Sequence, residues 1–205
     1  MGLRDLLRRR RIATDPPRPP LDPTVPLPPQ GDWGWRPPIF TLDGRLEMDA
    51  AADGTELADG TKLFHDCPLA EIAVTQVLQE VPPLGLRLTV GGFEGGFLSL
   101  ALDLPRAGWA GLSPSHIVEV ILRAGGIETI YARLNLRHGP NIETLTETLR
   151  PGEGGGAKAE FDLGMEVFSS AKLTHAWLDF IFEDPAGREI VIEELTVTRR
   201  PRADL

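Results

Sequence analysis

The sequence predicts an all-β protein: an antiparallel two-sheet sandwich of jelly-roll type, preceded by an extended N-terminal arm. Three observations predict it. Apolar residues recur at every second position in many short segments, the period of a half-buried strand. Glycine and proline clusters punctuate those segments, in a chain of 205 residues with 22 glycines and 19 prolines. No helical pattern alternates with the strands, so a parallel βαβ sheet is not expected.

The strands justify this one by one. "LRLTV" sets Leu84, Leu86, Leu88 and Val90 against Gly85, Arg87 and Thr89. "FLSLALDLP" sets Leu98, Leu100, Leu102 and Leu104 against Phe97, Ser99, Ala101 and Asp103. "YARLNLRHG" sets Ala132, Leu134 and Leu136 against Tyr131, Arg133, Asn135 and Arg137. "HIVEVILRA", "AKAEFDLG", "AWLDFIFED" and "EIVIEELTVTRR" continue the alternation. In "PLAEIAVTQVLQE" a helical spacing competes, and enrichment in Val, Ile and Thr decides for a strand. From the end of "GDWGWRPP" to about residue 61, repeated DG and AD steps read as turns or an irregular loop. Trp33 and Trp35, flanked by glycine and proline, read as aromatics plugging one end of the sandwich.

Residues 1–32 form the expected arm and residues 33–205 the sandwich domain. Leu3, Leu6 and Leu7 stand at helical spacing beside Arg8, Arg9, Arg10 and Arg11. This segment is either a frayed basic tail or a docking peptide for an acidic or apolar groove on a partner, with nucleic-acid or membrane contact as the lesser alternatives. Eight prolines then fall between Pro16 and Pro29. They favour polyproline II, a semi-rigid spacer reaching about 45 Å at ~3.1 Å per residue.

Composition narrows the function classes. The net charge of −9 argues against general attraction of the body to nucleic acid or anionic membrane. Cys67 is the only cysteine, which excludes an intrachain disulfide and CxxC metal or redox motifs. There is no apolar run of membrane-spanning length, and the N-terminal arginines lack the apolar stretch of a secretory signal. Synthesis in a reducing cytoplasm is expected. Neither a metal nor another cofactor is expected.

Enzyme signatures are missing too. The chain has no G-x-S-x-G elbow, H-E-x-x-H pair, P-loop or G-x-G-x-x-G turn. His65, Asp66 and Cys67 are adjacent, and neighbours on a strand point to opposite faces, so a structural trio is expected there. No catalytic residue is assigned.

The polar sides of three strands carry the functional expectation. If they share a sheet, Phe97, Ser99 and Asp103, then Tyr131, Arg133 and Asn135, then Trp177, Asp179 and Glu183 build one patch. Aromatic rings suit the apolar faces of pyranose sugars, and fixed amide, carboxylate and guanidinium groups suit their hydroxyls. Tyr131, Arg133, Asn135, Trp177 and Asp179 are the candidate carbohydrate-binding residues, in the layout of a carbohydrate-binding module. Two alternatives stand beside this reading. Asp103, Arg133 and Asp179 would form cross-strand ion pairs, with Trp177 covering a sheet edge; or the face would meet another protein chain.

The segments "KLFHDCPL", "GFLSLALDLP", "ARLNLRHGPNIE", "AWLDFIFEDP" and "LTVTRRPRADL", with Trp33-Gly34-Trp35-Arg36-Pro37 at the entry, resemble an uncharacterised family of alphaproteobacterial β-sandwich proteins. The chain also resembles the head-spike base protein of gene transfer agents, phage-like particles that attach to capsule polysaccharide. That resemblance implies a capsid protein and a spike fibre protein as partners, a homo-oligomer, and polysaccharide as a ligand. It also implies release from the cytoplasm as part of a particle.

Overall fold

The computed structural model describes residues 25–41, 46–79, 84–166 and 168–202. Two antiparallel sheets face each other. One runs in the order β11 (Gly156–Asp162), β8 (His116–Gly125), β13 (Glu189–Pro201), β6 (Leu84–Val90), β5 (Ile72–Leu78) and β2 (Glu47–Met48). A seventh strand, β1 (Trp33–Trp35), also pairs with β13. The other sheet has six strands, in the order β10 (Asn141–Leu149), β9 (Ile130–His138), β12 (Leu173–Phe182), β7 (Leu98–Asp103), β4 (Thr61–His65) and β3 (Thr55–Ala58).

The period-two segments place one side of each sheet in the core. Leu98, Leu100, Leu102, Leu134, Leu136, Leu178 and Phe180 from the six-stranded sheet are at most 1% exposed, as are Leu86, Leu88, Val120, Ile192 and Val197 opposite them. Each such side chain contributes about 1.5–3 kcal/mol relative to an exposed one. Trp33 is buried, its indole packed close against Gly108, where a Cβ would stand 2.6 Å from the ring. It stacks with Trp35 at 6.4 Å between centroids.

The segment Ile72–Leu78 is a strand, as its β-branched residues predict. Five strands add to the sequence reading, one of them β4, "TKLFH". β2 and β3 lie inside the stretch read as an irregular loop, "WGW" is itself strand β1, and "NIETLTETL" is edge strand β10. The Asp59-Gly60 step is a tight turn between β3 and β4. Gly60 has φ +67°, which favours glycine, and its carbonyl accepts the Asp103 N–H at 2.8 Å.

Residues 25–32 lie against the body. Val25 is buried, and Asp32 receives Arg199 Nε at 2.8 Å. Leu3, Leu6, Leu7 and Arg8 to Arg11 lie outside the described residues. The His65-Asp66-Cys67 side chains go to separate partners. His65 Nε2 lies 3.2 Å from the Ala51 carbonyl, an Asp66 oxygen accepts the Phe97 N–H, and the Cys67 sulfur accepts the Glu94 N–H.

Candidate functional site

The outer side of the six-stranded sheet holds the site, and strand register assembles it. One row crosses β4, β7, β12 and β9 as Lys62, Ala101, Asp179 and Arg133. The next row is Asp103, Trp177, Asn135 and, on β10, Thr144. On the other side lie Phe64, Ser99, Ile181 and Tyr131. Ala101 is the smallest side chain among tall neighbours, and a groove opens above it.

The groove is a chain of three open depressions following the strands. The first, about 320 Å³, lies beside Trp35, Glu56 and Pro105 and shares Gly60, Lys62 and Asp103 with the second. The second, about 230 Å³, is walled by Phe64, Trp177, His175 and Arg137 over the Ala101 floor. The third, about 500 Å³, joins it at Phe64 and Asp179 and continues past Phe97, Arg133 and Ile181. From Asp103 to Phe97 the floor strand alone covers roughly 20 Å.

Trp177 is fixed on three sides. Its Nε1 donates to Asp179 Oδ2 at 3.2 Å, its ring stacks with His175 at 5.5 Å and 26°, and the Arg137 guanidinium lies over it at 5.5 Å. His175 Nε2 in turn lies 2.9 Å from Asp103 Oδ1. Asp179 Oδ2 also accepts from Asn135 Nδ2 at 2.9 Å, and Thr144 donates to Asn135 Oδ1 at 3.1 Å. Burial pushes the Asp179 carboxyl above the usual carboxylate range, although the hydrogen bonds from Asn135 and Trp177 and the Arg133 charge act the other way.

Of the five sequence-predicted residues, the structure joins Asn135, Trp177 and Asp179 in one hydrogen-bonded group. Trp177, Asp179 and Arg133 line the groove. Asn135 is buried beneath it, 4% exposed, and acts by positioning Asp179. Tyr131 lies at the far end, where its hydroxyl donates to Glu183 at 2.7 Å, which raises the Tyr131 pKa. The cross-strand ion-pair alternative is not what the geometry shows. Arg133 stands opposite Asp179 in register, yet the Asp179 carboxylate is turned to Asn135 and Trp177, and Asp103 is turned to His175.

Lys62, Phe64, Arg137 and His175 also line the groove and were not among the five. Arg137 and His175 carried a signal, since they sit at even spacing from Arg133 and Trp177. Lys62 and Phe64 carried none, because they reach the site only through the β4–β7 pairing. Among the described residues no group of three His, Cys, Asp or Glu side chains converges as metal ligands, and no helix is long and apolar enough to cross a membrane.

Fold and site define a two-sheet β-sandwich carrying an open polar and aromatic groove on one sheet face. Within that class, the chain belongs to a family of unknown function, DUF6478, whose model matches residues 19–205. No curated protein matches it in sequence. Among solved structures it is similar to the enzymatically active domain of tailspike protein 4 from bacteriophage CBA120, at 10% identity and a TM-score of 0.49, over 75% of this chain and 21% of that one. It is similar to a family 11 carbohydrate-binding module from Clostridium thermocellum, in complex with a β-1,3-1,4-mixed-linked tetrasaccharide, at 10% identity and a TM-score of 0.46. That overlap covers 75% of this chain and 96% of the module. A cyclase from Fischerella sp. TAU is similar at 14% identity and a TM-score of 0.43, over 88% and 98% of the two chains. The chain thus spans about a fifth of the tailspike domain's length. At these scores none of the likenesses assigns chemistry to the groove.

Proposed function

We propose that this chain is a non-enzymatic carbohydrate-binding sandwich, with the groove on the six-stranded sheet as its sugar site. The observation that carries the reading is the floor and wall at Ala101 and Trp177. An open depression of about 230 Å³ lies above Ala101, beside an indole whose orientation is fixed by Asp179 and His175. Preorganised aromatic and polar groups of this kind bind without loss of side-chain freedom. Arg133, Lys62 and Asp103 supply donors and acceptors along the walls.

The setting we propose is a phage-like particle of the gene transfer agent kind. The chain would be a head-spike base: the basic, proline-rich arm anchors it to the capsid, and the sandwich supports a fibre or attachment to capsule polysaccharide. The arm's composition supports this setting, and the groove gives the body its task. A free cytoplasmic sugar-binding module is the alternative, and it needs no arm.

The test is retardation of the full chain in a gel containing capsular polysaccharide extracted from alphaproteobacteria. Wild type is compared with Trp177→Ala and with Ala101→Leu, which fills the floor without touching the core. Retardation lost in both variants supports the sugar site; equal migration of all three with and without polysaccharide overturns it. Deletion of residues 1–24, which spares buried Val25, should abolish co-purification with particles. If the deleted protein still co-purifies, the anchoring role of the arm is wrong.

A further inference from the structure

Every described arginine and lysine on the strands of the seven-stranded sheet is ion-paired. Arg87 meets Glu189, Arg123 meets Glu193 and Glu194, Lys158 meets Glu119 and Glu160, Arg199 meets Asp32, and Arg200 meets Glu160. The six-stranded sheet has three described cations on its strands, Lys62, Arg133 and Arg137, and all three line the groove. Among the described residues, none of them has a carboxylate partner. The Arg133 Nε is buried with no hydrogen bond. In a chain of net charge −9, carboxylates are not scarce. Of the carboxylates lining the groove, Asp103 is held by His175 and Asp179 by Asn135 and Trp177, while Glu56 stands opposite Lys62 in register and Asp59 lies beside it, neither forming an ion pair with it.

From this we infer that the groove selects an acidic polysaccharide, a sugar chain bearing carboxylates at intervals, with Lys62, Arg133 and Arg137 as its anion contacts. The inference rests on the sugar-binding reading above and names the class of sugar. Spacing supports intervals over a continuous charge. Arg133 and Arg137 are four residues apart on β9, roughly 13 Å by strand rise, and Lys62 sits in the Arg133 row three strands away, about 14 Å. Between them stand Asp103 and Asp179, which accept hydrogen bonds from hydroxyls and repel anions. A chain with hydroxyls between its acid groups matches that alternation. A nucleic acid strand, with a charge at every nucleotide, would bring phosphates against both aspartates. An arginine fork also suits a carboxylate bidentately.

The experiment measures retention of the full chain on immobilised polygalacturonate, dextran and single-stranded oligodeoxythymidylate, at low and high salt. Lys62→Gln, Arg133→Gln and Arg137→Gln are compared with Arg87→Gln on the opposite sheet, with thermal unfolding as the check on folding. The expected result is retention on polygalacturonate alone, weakened about tenfold or more by salt. Each groove variant should lower it about three- to tenfold, with Arg87→Gln unchanged. Equal retention on dextran overturns the acidic class and leaves the sugar site standing. Retention on the oligonucleotide alone overturns both. No retention on any of the three columns, with folded protein, overturns the acidic class; binding to the capsular extract in the gel then decides the sugar site separately. Loss of retention in Arg87→Gln to the same degree would show a general charge effect and overturn the assignment to the groove.

Discussion

On the seven-stranded sheet, β8, β11 and β13 lay acids and bases side by side so that each charge is answered within the surface. On the six-stranded sheet, β9 and β12 set Arg133 directly opposite Asp179, and the pair does not form. The difference does not lie in the residue types available, since both faces hold arginine and aspartate or glutamate. It lies in what competes for the carboxylates. Glu119, Glu160 and Glu194 are each bonded to cations: Lys158, Lys158 with Arg200, and Arg36 with Arg123. Asp179 has an indole N–H and a buried amide already aimed at one oxygen. One face uses its charges to close the surface, while the other keeps cations open beside a depression. Exposed pairs contribute little stability in any case, so leaving Lys62 unpaired costs the fold almost nothing.

The comparison breaks most visibly at Glu194. It bridges Arg123 at 3.3 Å and Arg36 at 3.2 Å, and the Arg36 side chain is only 6% exposed. Glu194→Ala should cost about 2 kcal/mol in urea unfolding, below the full penalty of a buried pair because the glutamate is itself partly exposed. Lys158→Met is next. It removes the cation that Glu119 and Glu160 share, and Glu119 is buried. About 1 kcal/mol should be lost, tempered by the exposure of the lysine. On the other face, Arg133→Gln should stay within about 0.5 kcal/mol of wild type, because no partner is stranded. A loss there as large as at Glu194 would mean that the open cations hold the fold together and that the two faces do not differ in kind.

The strands that bury leucines were legible from their alternation, and the side of each strand on which Arg133, Trp177 and Asp179 fall followed from the same period. β10 was not legible. As an edge strand it leaves nearly all of "NIETLTETL" in solvent, so no apolar period marks it. β2 and β3 are two and four residues long and are outweighed by the turn residues around them. At the site, what stayed hidden was contact across the sheet. Nothing local to "TKLFH" says that β4 lies beside β7, so Lys62 and Phe64 could not be joined to Trp177. Nor does a one-dimensional pattern distinguish Asn135, which is covered by Thr144, from Tyr131, which is not; both sit at even spacing from Arg133. The sequence shows which side of a strand a residue takes, and register decides what it meets there.

The smallest change in stability is expected at Asp179, and there the sign is the test. Burial raises this carboxyl above its ordinary value of 3.8. A group raised on folding holds its proton more tightly in the native state. Its stabilising contribution is therefore complete below the unfolded value and is lost as pH rises through the folded one. Asp179→Asn has no proton to lose, and its side-chain oxygen still accepts from Trp177 or Asn135. The variant should lie closest to wild type at the acid end, gain on it as pH climbs just above the ordinary carboxylate range, and keep that margin at neutral pH. Its retention on polysaccharide should fall about tenfold over the same range. Urea unfolding from roughly pH 3 to pH 7 reads the first part, and the affinity gel the second. A variant that gains stability and loses binding marks Asp179 as a charge kept on this face at the expense of the fold, which is how binding sites commonly stand against their scaffolds. If the variant is instead less stable throughout and binds as before, Asp179 is a brace for Trp177 and Asn135, and the six-stranded face is built on the same principle as the other.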